Sequence, residues 1–187
     1  MTVVKSLLSF IFLWFAVVPA AFSQSGKTVV DDNIEMAKMF ADDQAIRHEI
    51  GERGWAKVED DQAFLVRWQI EDAARLVSTQ KLLDAEALKS GLDFYRAAFI
   101  FQHGTRPENY LKAHHLAVIA ISKGYDARWI SAATLDRYLQ ATDKKQIYGT
   151  QFRSNEQGEH VRDPVELGIV SDAERKELKV PALADEE

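Results

Sequence analysis

The sequence predicts an all-α fold: a compact helical domain of about five helices, followed by an irregular C-terminal segment. Three observations predict it. Apolar side chains recur at spacings of three and four from Ile34 to about Thr142, the period of helices with one buried face. No alternation of polar and apolar residues runs long enough for a sheet. Glycine, proline and aspartate stand where the periodic stretches start and stop. The chain has 187 residues, 47% hydrophobic and 28% charged, enough for one core or at most two small ones. It has no cysteine, which excludes disulfides, thiolate catalysis, Cys-ligated zinc and lipid attachment through cysteine. A formal charge of -6, with no block of five like charges, argues against a nucleic-acid partner.

The first element is an address. Lys5 precedes an apolar run from Leu7 to Val18, Pro19 breaks it, and Ala21-Phe22-Ser23 sets small residues at alternate positions. Residues 1–23 therefore read as a signal peptide cleaved before Gln24. Uncleaved, the uncharged stretch from Ser6 to Gln24 is long enough to anchor the chain, and that is the sole membrane contact expected. Export places the protein in the periplasm or outside the cell, where its core alone must stabilise it. The expected domains are a helical one over 24–152 and a partly disordered extension over 153–187.

Each helix follows from local chemistry. Asp31 and Asp32 are caps for a first helix whose stripe is Ile34, Met36, Met39, Phe40 and Ile46, ended by Gly51 and Gly54. Asp60 or Asp61 opens a second, with Phe64, Leu65, Trp68, Leu76 and Leu83 inward. Asp84 caps a third segment leading through Tyr95, Ala98 and Phe99 to Gln102. Pro107 suits the first turn of a fourth, which runs to Gly124. Asp126 caps a fifth, ending near Thr142. Ser171 with Glu174 has capping-box spacing for a short exposed helix to Leu178, and the acidic residues 184–187 are expected to be mobile.

A period of 35 residues aligns Phe94-Tyr95-Arg96-Ala97-Ala98 with Trp129-Ile130-Ser131-Ala132-Ala133. Between them Ala113, Leu116, Ala117, Ala120 and Gly124 form a small-residue stripe. Over 91–142 this resembles tetratricopeptide and Sel1-like repeats, whose hairpins repeat at about 34 residues. One and a half repeats imply hairpins within a compact domain and not a long superhelix; an ordinary orthogonal helix bundle is the other reading.

Several polar residues do not fit a plain core. His103 follows Gln102 at a helix end, where an imidazole can face the helix's negative pole. Asp136 shares the inward face of Trp129 and Ala133, so it needs a partner, for which Arg47, Arg96, Arg137 and His103 are candidates. His114 and His115 diverge around their helix, the zinc-protease spacing is absent, and neither a metal nor a cofactor is expected. His48 and His160 have no partner at a telling spacing. Gln146-Ile147-Tyr148-Gly149-Thr150-Gln151-Phe152 is dense in amides and aromatics for a solvated loop. It is expected to fold back on the helices and present polar groups to a cleft.

Taken in order, Asp43-Gln44 with Arg47, Gln102-His103, Asp136-Arg137 and Gln146-Ile147-Tyr148-Gly149-Thr150-Gln151 resemble the landmarks of an uncharacterised bacterial family, the DUF6624-type proteins. The similarity spans roughly 35 to 152. It departs at Ser90-Gly91-Leu92, where that family has a Gly-Trp-Pro turn. The family carries no assigned activity, so the resemblance implies positions and not chemistry.

Two functions follow as expectations. The first is a binding or interaction module in the cell envelope, with Trp55, Trp68, Tyr95 and Tyr110 as anchors for a protein or peptide. The second is an enzyme or small-molecule pocket. In it His103 acts as acid or base, Asp136 orients it, and Arg47 or Arg137 holds an anion. Asp43, Gln44, Gln102, Gln146, Tyr148, Thr150 and Gln151 would complete the ligand site.

Overall fold

A computed structural model describes residues 31–155 and 159–183. Residues 1–23, expected to be a signal peptide, and the acidic terminus 184–187 lie outside the described residues. Within them the chain is all-α apart from one small hairpin. The helices are α1 (Ile34–Arg53), α2 (Trp55–Glu59), α3 (Gln62–Asp84), α4 (Gly91–Gln102), α5 (Pro107–Ser122), α6 (Arg128–Ala141) and α7 (Asp172–Glu177). None of them is long and apolar enough to cross a membrane.

The caps explain the boundaries. Asn33, and not Asp31 or Asp32, caps α1, its side chain accepting from the Met36 N–H. The helix passes through Gly51 and stops at Gly54, whose φ of 75° no β-branched or bulky residue holds cheaply. The five-residue α2 was not expected, because one turn is too short to show a period. Asp61 caps α3 as expected. Asp84 belongs to α3 and does not open the third segment; α4 is opened by the Ser90/Asp93 capping box. Asp93 is fully buried and also accepts from the Asn33 N–H at 2.8 Å, joining the starts of α1 and α4. Asp126 stands one residue before the α6 N-cap, Ala127, and holds the Arg128 N–H only at 3.5 Å; its carboxylate is taken up mainly by the Arg128 guanidinium at 2.8 and 3.0 Å and by Lys179.

α4 packs on α5 and α5 on α6 as consecutive hairpins, with α1 and α3 laid against α4. The main core gathers Met36, Met39, Leu88, Phe99, Ile100, Leu116 and Ile130 with the alanines Ala97, Ala98, Ala113, Ala117 and Ala120. A smaller core holds Ile46, Ile50, Val58 and Phe64 between α1, α2 and α3. Small residues bring the α4–α5–α6 backbones close. At the α4 start, a Cβ on Gly91 would lie 2.6 Å from the Tyr125 Cβ and 3.1 Å from the Ala120 carbonyl. Gly91→Ala is therefore expected to cost about 1–3 kcal/mol by overpacking, despite alanine's better helix propensity. Urea denaturation checks this, and a neutral or stabilising result would show that the close approach relaxes freely.

The segment after residue 152 is not an appendage. Phe152–Ser154 pairs antiparallel with His160–Arg162, strands of three residues that leave no alternation to read in sequence. α7, opened by the expected Ser171/Glu174 box, returns against the 146–151 loop. Arg175, 2% exposed, donates to the carbonyls of Ile147, Tyr148 and Val170. Arg162 donates to the Leu183 carbonyl at 3.0 Å.

Candidate functional site

The stripe that buries α1 reads Met36, Met39, Asp43, Ile46 and Ile50, so an aspartate occupies a core position. Its carboxylate, 1% exposed, meets the end of α4: Oδ1 lies 2.9 Å from Nδ1 of His103. Gln44 donates to Oδ2 at 2.8 Å. Arg47, one turn along α1, lies 3.2 Å from Asp43 and grips Asp72 of α3 through both terminal nitrogens at 2.9 and 2.7 Å. Arg75 adds a 2.6 Å bond to Asp72 and stands 3.9 Å from Asp43. Three helices thus converge on one charged cluster, with Trp68 under Arg47 at 5.5 Å.

The electrostatics decide protonation. Burial alone would push the Asp43 carboxyl up, but His103, then Arg47 and Arg75, outweigh it and hold it below the ordinary carboxylate value. For His103, burial pushes the imidazole down, Asp43 pulls it up, and the positive fields of Arg47 and Arg137 push it down again. The result lies below the ordinary 6.5. The stable state is an ionised Asp43 accepting Nδ1–H from a neutral ring. Nε2 then carries the lone pair. It has no partner among the described residues and is not a buried orphan, so it meets solvent, and the side chain keeps 14% of its exposure.

Beside it in the chain, Gln102 is 1% exposed and its Oε1 finds no donor among the described residues. Arg137 of α6 donates to the Gln102 carbonyl at 3.4 Å and lies over the Tyr110 ring at 5.3 Å.

No family model, curated protein or solved structure matches the chain. The site therefore rests on its geometry.

That geometry divides the expected site residues into two groups. Asp43, Gln44, Arg47 and His103 come together, with Gln102 and Arg137 alongside. The second group is built around Asp136, which is fully buried. Its Oδ1 accepts the N–H groups of Ile147 and Tyr148 at 2.8 and 3.0 Å. Oδ2 accepts the N–H and hydroxyl of Thr150 at 3.0 and 2.8 Å. None of the four expected partners, Arg47, Arg96, Arg137 or His103, hydrogen-bonds it; Arg96 pairs with Asp32 at 3.4 Å. The carboxylate that orients His103 is Asp43.

The loop does fold back, but its polar groups turn inward and not into a cleft. Gln146 donates to the carbonyls of Gln151 and Asp163 and accepts the Gln151 N–H at 2.8 Å. Gln151 donates to the Ala133 carbonyl at 3.1 Å. Gln146, Thr150 and Gln151 are buried, and Gly149 turns the chain at φ 81°. Tyr148 lends this lock its backbone; burial pushes its phenol up.

The aromatic anchors are also engaged. Tyr95 packs on Phe99 and Tyr125, each with ring centroids at 4.9 Å, and Trp55 joins the smaller core. His114 lies 2.8 Å from the Ser131 carbonyl through Nδ1.

Sequence reasoning missed Asp72 and Arg75. The signal was present: Trp68, Asp72, Arg75 and Thr79 recur at spacings of four, three and four along α3. Charges on a stripe that also carries a tryptophan need partners.

Proposed function

We propose that this protein is an exported binding module of the cell envelope and that its ligand is a small anionic molecule with an O–H or N–H donor, seated at His103. The observation that carries the reading is the buried Asp43 carboxylate on Nδ1, which leaves the Nε2 lone pair facing solvent. A neutral imidazole so fixed accepts a proton or hydrogen bond from a ligand. The positive fields of Arg47 and Arg137, the same that depress the ring's protonation, favour a negative charge close by. The unmatched Gln102 oxygen is an acceptor that a bound donor would satisfy.

The experiment is a thermal-shift panel of inorganic phosphate and small hydroxycarboxylates on the wild type and on His103→Gln. Glutamine can still donate to Asp43, so the fold is kept, while the basic Nε2 is lost and only an amide oxygen that takes no proton remains. The expected result is a melting-temperature rise in the wild type that disappears in the variant. No rise with any compound, or an equal rise in both proteins, overturns the reading.

A second reading has the same geometry behind it. A carboxylate-oriented imidazole with an open Nε2 is the arrangement of a general base. In that reading His103 takes the proton of a bound hydroxyl or water, Asp43 stabilises the imidazolium, and Asp136 shapes the neighbouring loop without touching the reacting atoms. Turnover of a panel compound that raises the melting temperature of both proteins, lost in His103→Gln, selects this reading over the first.

A further inference from the structure

α3 has two faces, and the site uses only one. Phe64, Trp68, Asp72, Arg75 and Thr79 point inward. On the opposite side Ala63, Val66, Ile70, Ala73 and Val77 are exposed at spacings of three, four, three and four. Val66, Ile70 and Val77 keep 53%, 64% and 56% of their surface. Ala63, Val66, Arg67, Ile70 and Glu71 line a shallow groove there. Such an outward stripe is no aid to a monomer. Its period is that of a two-helix seam, with Ala63, Ile70 and Val77 at one seam position and Val66 and Ala73 at the other. The β-branched Ile70 and Val77 at the first position favour two strands.

The edges say what kind of helix fits. Arg67 and Lys81 stand two heptads apart on one edge, with Ala74 between them; the other edge is Gln62, Gln69 and Leu76. Neither edge carries a carboxylate. Arg67 reaches Glu49 only at 3.5 Å with both side chains about half exposed, a pair weak enough to exchange. Glu71 lines the groove beside the seam, at neither edge position, and its carboxylate turns toward Arg75 at 3.7 Å. A second copy of α3 brings no carboxylate to Arg67 or Lys81, and laid antiparallel it opposes one copy's Arg67 to the other's Lys81. We propose that the outer face of α3 docks an amphipathic helix of another protein, one that carries acidic residues beside its apolar stripe. This interface lies on the far side of α3 from His103 and stands independently of the ligand reading.

The test uses the purified protein and two synthetic helical peptides of four heptads with isoleucine and leucine in the seam. One has glutamate and the other lysine at every edge position. Fluorescence anisotropy is expected to show the glutamate peptide binding about ten-fold or more tightly than the lysine peptide. Ile70→Asp should abolish that binding, and the double variant Arg67→Glu/Lys81→Glu should reverse the preference. All three substitutions are at solvent-facing positions, and an unchanged urea midpoint confirms that the variants fold. Equal binding of both peptides, binding of neither, or indifference to Ile70→Asp overturns the proposal. So does a dimer of the protein alone that Ile70→Asp dissociates, since the seam would then belong to a second copy.

Discussion

Replacing Asp136 by asparagine is expected to cost about 3 kcal/mol of folding stability, and by alanine about 4. The carboxylate accepts four hydrogen bonds in a fully buried place, three from backbone N–H groups. Asparagine keeps one oxygen, and whichever position it takes, its amide N–H points at donors on the other side. Alanine leaves all four donors without an acceptor. Charge-assisted bonds are the stronger kind, and several of them lost together account for a large part of a typical total stability of about 5–15 kcal/mol. Urea midpoints measure the cost, and amide exchange at Ile147, Tyr148 and Thr150 locates it. Thr150→Val is the control: it removes one of the four bonds and should cost about 1 kcal/mol. A shift of that same small size in Asp136→Asn would show that the loop is held elsewhere. Its consequences should reach α7, because Arg175 is anchored on carbonyls of that loop.

Acid is expected to destabilise the protein in two stages, with Asp43 and His103 responsible. His103 titrates below 6.5 when folded, so between that lowered value and 6.5 the unfolded chain binds more protons than the native one. Stability then falls as pH drops below about 6.5 and levels off once the folded imidazole itself charges. Asp43 is depressed below 3.8, so its contribution is complete above 3.8 and is lost as pH falls through its lower folded value. Urea midpoints from pH 8 to pH 3 should show both limbs. His103→Gln should flatten the upper limb and shrink the lower one, because the imidazole is the first of the groups that hold Asp43 down. Asp43→Asn should cost about 3 kcal/mol at neutral pH, since it leaves Arg47 and Arg75 short of a buried counter-charge and gives the Nδ1–H of the neutral imidazole a weaker acceptor. A wild-type profile flat from pH 7 to pH 5 would refute the neutral, buried imidazole.

Both results turn on aspartates, and the two differ in how far they could be read in advance. Asp136 was legible as an inward-facing acid because its spacing from Trp129 and Ala133 is helical. Its partner was not legible: backbone N–H groups are the same at every residue, and no side-chain pattern marks a loop that will offer three of them. Asp43 was legible only through the family resemblance, although it lies on the stripe of Met36, Met39 and Ile46. Asp72 and Arg75 were visible in the same way and were passed over, since α3 carries apolar residues on both faces and its charged positions look like ordinary surface ones. The hairpin at 152–162 was hidden by strands of three residues.

What the sequence determined by itself is the helical class, most helix stops, and the starts of α3, α5 and α7. These depend on a chain's neighbours three or four residues away, through caps, through glycine and proline, and through the period of the apolar stripe. Only tertiary structure decided which carboxylate meets His103, and that the 146–151 amides brace a loop and do not line a cleft. Those pairings join residues 60 and 14 positions apart. Their choice depends on how α1, α4 and α6 pack, a matter of close approach between small residues that no local spacing encodes.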